Sequence, residues 1–403
     1  MLRRFLDSWI RNDRAYILVT LTVAFFSTVS LHTMELRCVY ASLMLLIVLS
    51  ASVFLYAKGL LRKTIISIPA LWILANYSVF LFNGIFRLRA ATFNTDFFIF
   101  NVAVLLSVSG LLLSIDQRKD KTDTVCLSAV FGSLLTCAYM VITQYSEIVS
   151  GDFRVGDNLS GNVNSVAVCL GIGSFSAIYL LLNRKKVVYA ASAAIIIFFM
   201  LITGSKNSLI VLCVIAIYFL IYETKGRKKR IFILSATLVV GFILVFKNSY
   251  LYNIIGYRIV DFLGQLGLPI RGASYSNSTA LRIHYYEEGF KAFLSKPLFG
   301  GGMKYFEAFS GAGTYSHSNY IEVLANFGVV GFLLYYAPIL YTGVGLVRKR
   351  HEDYSMLATS CMIFLILLLD FSMITYSALS VYYYPYVLGL SVHWQNDRAS
   401  SAK

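Results

Sequence analysis

The chain has 403 residues, of which 58% are hydrophobic and only 14% charged, against about 25% charged in an ordinary soluble domain. With a mean hydropathy of +0.70 it lacks the polar side chains to cover a water-facing globule, which excludes a soluble globular enzyme, and an aromatic content of 15% excludes disorder. The formal charge of +15 would ordinarily suggest nucleic acid, but in so apolar a chain it points to membrane orientation.

Apolar runs between charged breaks predict spans at 15–31, 39–57, 64–86, 97–115, 124–142, 163–182, 187–203, 208–222, 231–246, 320–345, 354–371 and 376–392. Each is close to the ~20 residues a membrane helix needs. Runs of this length favour helices, because a barrel shows alternating segments of about ten residues instead. The predicted fold is therefore all-α: a polytopic integral membrane protein with about 12 transmembrane helices, in which 1–403 form a single membrane domain. The basic stretch Met1–Arg14 leads into an apolar run like those after it, so that run is predicted to be the first transmembrane helix and not a cleaved leader. Cys38, Cys126, Cys137, Cys169, Cys213 and Cys361 lie in or beside apolar runs with no CxxC pair, and are read as small packing residues.

Charge fixes the predicted orientation. With the N-terminus inside, the segments 1–14, 58–63, 116–123, 183–186, 223–230, 348–353 and 393–403 are internal and carry 23 of the 35 Lys+Arg. The short outer connections carry Arg37, Arg87, Arg89, Arg154 and Lys206. Both termini are thus expected in the cytoplasm. The basic Lys225–Arg230 segment reads as a topology anchor and not as a nucleic-acid patch.

Residues 247–319 break this pattern as one large outer loop. It holds Lys247, Arg258, Arg271, Arg282, Lys291, Lys296 and Lys304, where the positive-inside rule expects few cations. Structureless loops of that length are uncommon, so short helices are expected within it. Ser278 or Thr279 can cap a helix running to about Leu294, ended by Lys296-Pro297. Leu281, Tyr285, Tyr286, Phe290, Phe293 and Leu294 approximate an apolar face, as in a helix lying in the bilayer surface.

The loop ends in Lys296-Pro-Leu-Phe-Gly-Gly-Gly-Met-Lys-Tyr-Phe306, followed by Tyr315-Ser-His-Ser-Asn-Tyr-Ile-Glu322 and Phe327-Gly-Val-Val-Gly331, with His317 at the mouth of a span. Over about 275–336 this resembles the Wzy-type O-antigen polymerases and O-antigen ligases, bacterial polysaccharide enzymes of the inner membrane. Their shared signature is an Arg-bearing helix, a P-L-x-G-x-G turn and an H-[NS]-x-[YF]-[LI]-E segment. Arg154-Val-Gly156 with Asn162 and Asn164, and Thr203-Gly-Ser-Lys206, look similar to earlier elements of that family. Lys206 departs from it, since Arg is usual there, and Lys lacks the bidentate grip of Arg.

The resemblance implies transfer of a glycan from undecaprenyl diphosphate to a sugar hydroxyl on the outer side of the inner membrane. Such a reaction needs cations for the departing diphosphate and a group near neutral pKa for the hydroxyl proton. Arg282 and His317 are the catalytic candidates, and Arg154, Lys206 and Arg258 are the diphosphate-binding candidates. No metal and no cofactor is expected, and no Asp-x-Asp occurs. Expected partners are the undecaprenyl-diphosphate-linked oligosaccharide, the bilayer and a chain-length regulator, with no nucleic acid.

Other features take plainer readings. Gly300-Gly-Gly302 reads first as a tight turn, ahead of a phosphate cradle, and Gly328 and Gly331 as sites of close helix packing. Glu322 is poorly spaced from His317 for shared metal ligation. His32 and His284 read as solvated or packed. Asn326 and Asp370 are polar residues within apolar runs, with Asp370 placed at an outer helix end. The favoured function is O-antigen polymerase. An O-antigen ligase is the first alternative, and a transporter of the lipid-linked oligosaccharide is disfavoured because no internal repeat is visible.

Overall fold

The computed structural model describes residues 13–31, 36–67, 70–71, 73–75, 95–115, 118–150, 155–156, 159, 163–222, 227–257, 259–260, 277–302, 304–349 and 354–370. Among them every regular element is helical. The first five helices are α1 (Asp13–Ser30), α2 (Arg37–Ala57), α3 (Leu61–Ile65), α4 (Thr95–Leu113) and α5 (Arg118–Thr143). They are followed by α6 (Tyr145–Ser150), α7 (Val163–Arg184), α8 (Val187–Ile202), α9 (Lys206–Ile221) and α10 (Arg227–Lys247). A short turn and a π-helical segment, Tyr252–Gly256, precede α11 (Asn277–Ser295), α12 (Tyr305–Ser310), α13 (Asn319–Arg348) and α14 (Tyr354–Leu369).

Ten of the predicted spans coincide with these helices. Most of 64–86 and all of 376–392 lie outside the described residues. Most of α2 and α5, and the whole of α7 and α13, are long and apolar enough to cross a membrane, and α8, α9, α10 and α14 contain shorter apolar helices. The protein is a helical membrane protein. Its apolar surface fits that setting: Leu45, Leu46, Leu49 and Val53 on α2, and Phe232, Val239, Phe242 and Leu244 on α10, are all exposed. Helix is the form that satisfies every backbone group within its own segment, which lipid requires.

The core is built around α7, which packs against α5, α8, α9 and α14. Its composition explains the position. Small residues let neighbouring backbones approach closely, and a Cβ added at Gly173 would lie only 2.0 Å from Ser133 Oγ of α5. The hydroxyls buried by this packing turn back onto their own helix: Ser174 donates to the Leu170 carbonyl at 3.0 Å and Ser176 to that of Ile172 at 2.7 Å. One end of α7 carries an ion pair, Arg184 to the buried Asp123 of α5 at 2.8 Å, with Tyr179 also donating to Asp123 at 3.0 Å. All six cysteines are free, and Cys126, Cys137 and Cys169 are buried in the packing, as their apolar setting predicts.

A second, smaller cluster forms where α11 and α12 pack on the start of α13, around Tyr285, Ala292, Phe306 and Ala325. Here α13 is broken. Gly328 has φ 66° and ψ −166°, a region essentially restricted to glycine. The segment 297–302 fills the break with backbone hydrogen bonds on both sides. Gly301 and Gly302 N–H donate to the Ala325 and Asn326 carbonyls, at 3.1 and 2.8 Å. Val329 and Val330 N–H donate to the Pro297 and Leu298 carbonyls, at 2.9 and 3.1 Å. A Cβ at Gly328 would sit 2.5 Å from the Leu298 carbonyl, and one at Gly300 would sit 2.3 Å from the Asn326 carbonyl carbon. The glycine-rich segment is thus a turn, and its partner is the interrupted helix.

The other end of this region is tied to α14. Asn319 N–H donates to the Asp370 carbonyl at 2.7 Å, and Tyr336 Oη donates to Asp370 Oδ2 at 3.0 Å. Asp370 therefore closes the end of α14 onto the start of α13.

Candidate active site

Of the five residues singled out from the sequence, Arg282, His317 and Lys206 lie in described segments, whereas Arg154 and Arg258 lie outside them. The structure brings Arg282 and His317 together. Arg282 precedes Tyr285 by three positions on α11, which places the two on adjoining parts of one helix face. Tyr285 is buried and stacks on the His317 ring, with centroids 5.8 Å apart and planes 12° apart. Tyr315 packs on the same imidazole at 4.3 Å. Phe306 meets Tyr285 edge-on at 6.1 Å.

His317 has φ 56°, in the left-handed region that non-glycine residues rarely adopt. Such a conformation costs about 1–3 kcal/mol and persists only where its surroundings impose it. The surroundings here are explicit. Ser316 N–H donates to Glu322 Oε2 at 2.9 Å, and Ser316 Oγ donates to the Ser318 carbonyl at 2.8 Å. Glu322 Oε1 accepts from Asn326 Nδ2 at 3.0 Å, and Asn326 Oδ1 accepts from Phe306 N–H at 3.0 Å. Glu322 is 1% exposed and Asn326 0%. A buried carboxylate and a buried amide therefore bind the backbone on both sides of the His317–Tyr285 stack.

The imidazole is half-buried. Burial pushes its pKa below the ordinary histidine value, and the positive charge of Arg282 pushes it down further. At neutral pH it is uncharged and able to accept a proton. Tyr286, the next residue on this side of α11, responds oppositely: burial raises its phenol, and Arg282 opposes the rise.

The cations of 281–304 sort by partner. Lys291 pairs with Glu288 at 2.6 Å, Lys304 reaches Glu307 at 3.9 Å, and Lys296 Nζ lies 4.8 Å from the Tyr305 ring centroid. Among the described residues, no carboxylate forms an ion pair with Arg282. Arg282 is partly buried, and its charge reaches the neutral His317, an arrangement suited to an anionic ligand.

Lys206 belongs to another group, at the first turn of α9. Ser205 caps that helix by accepting from Asn207 N–H at 3.2 Å, and donates its hydroxyl proton to Asn164 Oδ1 at 2.6 Å. Gly156 N–H donates to the buried Gln144 Oε1 at 2.7 Å, and a Cβ on Gly156 would lie 3.9 Å from Thr203 Cγ2. The Val155–Gly156 stretch and the Thr203–Lys206 turn, far apart in sequence, are neighbours in space. A cation at a helix N-terminus opposes the helix dipole, so Lys206 gains nothing from its own helix there, whereas an anion at that end gains from both.

Three sequence expectations are revised. Ser278 and Thr279 lie within α11, since Asn277 before them is already helical. The apolar face divides: Tyr285 turns inward with Gly289 and Ala292, while Leu281, Phe290 and Leu294 are exposed. Glu322 and Asn326, noted only for poor metal spacing and for polarity within a span, form the buried support of the His317 loop. The available signal was a carboxylate one turn into a span, where it must find hydrogen-bond donors.

Residues 191–336 match the Wzy_C family model, described as O-antigen ligase. The match makes this segment similar to that family, and it contains Lys206, Arg258, Arg282 and His317. No curated protein matches the chain.

Proposed function

With residues 191–336 taken as an O-antigen ligase family domain in a helical membrane protein, we propose that the protein polymerises O-antigen or a related surface polysaccharide. A glycan chain on undecaprenyl diphosphate is the donor, and a hydroxyl of a lipid-linked repeat unit is the acceptor. The hydroxyl oxygen attacks the anomeric carbon, the bond from that carbon to the diphosphate oxygen breaks, and the lipid diphosphate leaves with the electron pair. His317 takes the hydroxyl proton, as a neutral imidazole can. Arg282 neutralises the charge growing on the diphosphate, with Lys206, Arg154 and Arg258 as further diphosphate-binding cations. The transfer uses no metal and no cofactor.

The observation that carries this reading is the pairing of Arg282 with a neutral, stacked His317 inside the matched domain. The distribution of cations supports a topology of about twelve spans in the bacterial inner membrane, with both termini cytoplasmic and 247–319 periplasmic. That topology puts the sugars in water and the carrier in lipid. A chain-length regulator is the protein partner this activity calls for.

The description of the matched family favours a second reading, transfer of finished polymer to lipid A–core by an O-antigen ligase. Deleting the gene and running the lipopolysaccharide on a gel separates the two. Core bearing one repeat unit identifies a lost polymerase, and core alone with polymer retained on the carrier identifies a lost ligase. Lipid-linked single units facing the cytoplasm would instead indicate a transporter and refute both. Arg282→Ala and His317→Ala are each expected to abolish long chains while the protein remains in the membrane; a normal ladder from either variant would refute the site.

A further inference from the structure

We infer that Glu322 and Asn326 are a positioning pair, whose charge polarity sets the geometry of His317 for the transfer proposed above and on which that transfer depends. The inference rests on that functional reading. His317 is held at φ 56° by its neighbours and not by its own preference. The backbone N–H immediately before it, that of Ser316, ends on Glu322 Oε2, 2.9 Å away and inside the protein. The other carboxylate oxygen receives Asn326 Nδ2 at 3.0 Å. Asn326 cannot turn its amide over, because its Oδ1 is needed by Phe306 N–H at 3.0 Å. Phe306 in turn braces Tyr285, the residue on which His317 stacks. The chain of bonds therefore runs one way: donor, carboxylate, amide donor, amide acceptor, donor.

This polarity explains the residue types. Position 322 must accept from two donors, Ser316 N–H and Asn326 Nδ2, and a carboxylate is the side-chain end that accepts twice and donates nothing. A glutamine there would aim an NH₂ group at one of those donors. Neither residue reaches the reacting atoms in this arrangement; each acts through the loop that carries His317.

The test is an exchange of polarity. In Glu322→Gln one acceptor is lost, and kcat is expected to fall at least about 10-fold, since small misplacements of a catalytic group cost up to about 100-fold. The donor KM is expected to stay within about threefold, because the diphosphate-binding cations are untouched. The double variant E322Q/N326D restores the three bonds named above. The new amide oxygen at position 322 accepts from Ser316 N–H, and the amide NH₂ donates to the new carboxylate at position 326. The second oxygen of that carboxylate accepts from Phe306 N–H. The net charge of the pair is unchanged, and kcat should return to within about threefold of wild type. Asn326→Asp alone places two carboxylates together and should be impaired.

The substrate in these measurements is lipid-linked repeat units extracted from a host lacking this protein, with enzyme purified from membranes. Wild-type kcat in Glu322→Gln, or a double variant no better than Glu322→Gln, overturns the inference. If Glu322→Gln fails to insert, the double variant decides alone: active in membranes it supports the pair, and inactive it overturns it. Wild type and His317→Ala run in the same assay. Chain growth in neither would refute the functional reading, whereas growth in wild type, none in His317→Ala and full growth in Glu322→Gln would refute only the positioning role.

Discussion

His317 and Tyr285 stack almost parallel, 12° apart at 5.8 Å, although one belongs to the loop before α13 and the other to the middle of α11. The contact joins the two elements that carry the candidate catalytic groups, because Arg282 lies three positions before Tyr285. Loss of the ring should loosen the imidazole without removing it. Aromatic pairs contribute about 0.5–1.5 kcal/mol beyond area burial, so Tyr285→Ala is expected to slow chain synthesis by roughly 2- to 10-fold. Tyr285→Phe keeps the ring and should remain close to wild type. Initial rates with lipid-linked repeat units measure the difference, and equal rates in the two variants would contradict it.

The pH profile follows from the same contact. Burial first, then the Arg282 charge, lower the His317 pKa from the ordinary value of 6.5. The proposed reaction needs the neutral imidazole, so activity should persist through 6.5 and fall only as pH drops through the lower value. Stability should fall on the same side, because below the ordinary value the unfolded chain takes up the proton more readily than the folded one. In Arg282→Gln the secondary cause is removed and the primary one stays. The acid limb of the residual activity should move upward yet remain below the ordinary histidine value. A limb that stays put in this variant would show that Arg282 does not act on His317.

The helices were legible because lipid demands long apolar runs, and ten of those runs coincide with helices in the structure. The end of α11 at Ser295 was legible from Lys296-Pro297. Its buried face was not: exposed Phe290 and Leu294 are as apolar as anything the helix buries, and a residue pattern cannot distinguish a face turned to protein from one turned elsewhere. Arg282 and His317 were legible through the motif, but the role of Glu322 depends on a backbone N–H of a turn. The insertion of 297–302 into the break of α13 is likewise a pairing of backbone groups, which leaves glycines in the sequence but no record of their partner.

Lys206 separates charge from geometry. It stands at the first turn of α9, beside Ser205 and Asn164. If its contribution to diphosphate binding is charge at a helix N-terminus, Lys206→Arg should be tolerated. Lys206→Ala should raise the donor KM, by roughly 5- to 30-fold for a helix-end anion contact of about 1–2 kcal/mol. Complete loss of chains in Lys206→Arg would show that the site requires the shape of lysine.

The splice between the glycine turn and α13 makes the sharpest stability prediction. Gly328→Ala forces a side chain into backbone angles of 66° and −166°, and its Cβ would meet the Leu298 carbonyl at 2.5 Å. Gly300→Ala meets the same joint from the other side, at 2.3 Å from the Asn326 carbonyl carbon and with φ 64°. In both cases the obstructing atoms are backbone, which cannot rotate aside as a side chain would. Strain of this kind costs about 1–3 kcal/mol, and overpacking adds a similar amount. Each variant should therefore lose at least about 2 kcal/mol, which is large beside the usual 5–15 kcal/mol stability of a folded domain. Gly241 is the contrast: it lies within α10, and a Cβ there meets nothing within 4 Å. Gly241→Ala should be neutral or stabilising by up to about 1 kcal/mol, through helix propensity. Thermal midpoints of the three purified variants in one detergent give the ranking. If Gly328→Ala or Gly300→Ala matched Gly241→Ala, the turn would not be seated in the break as described.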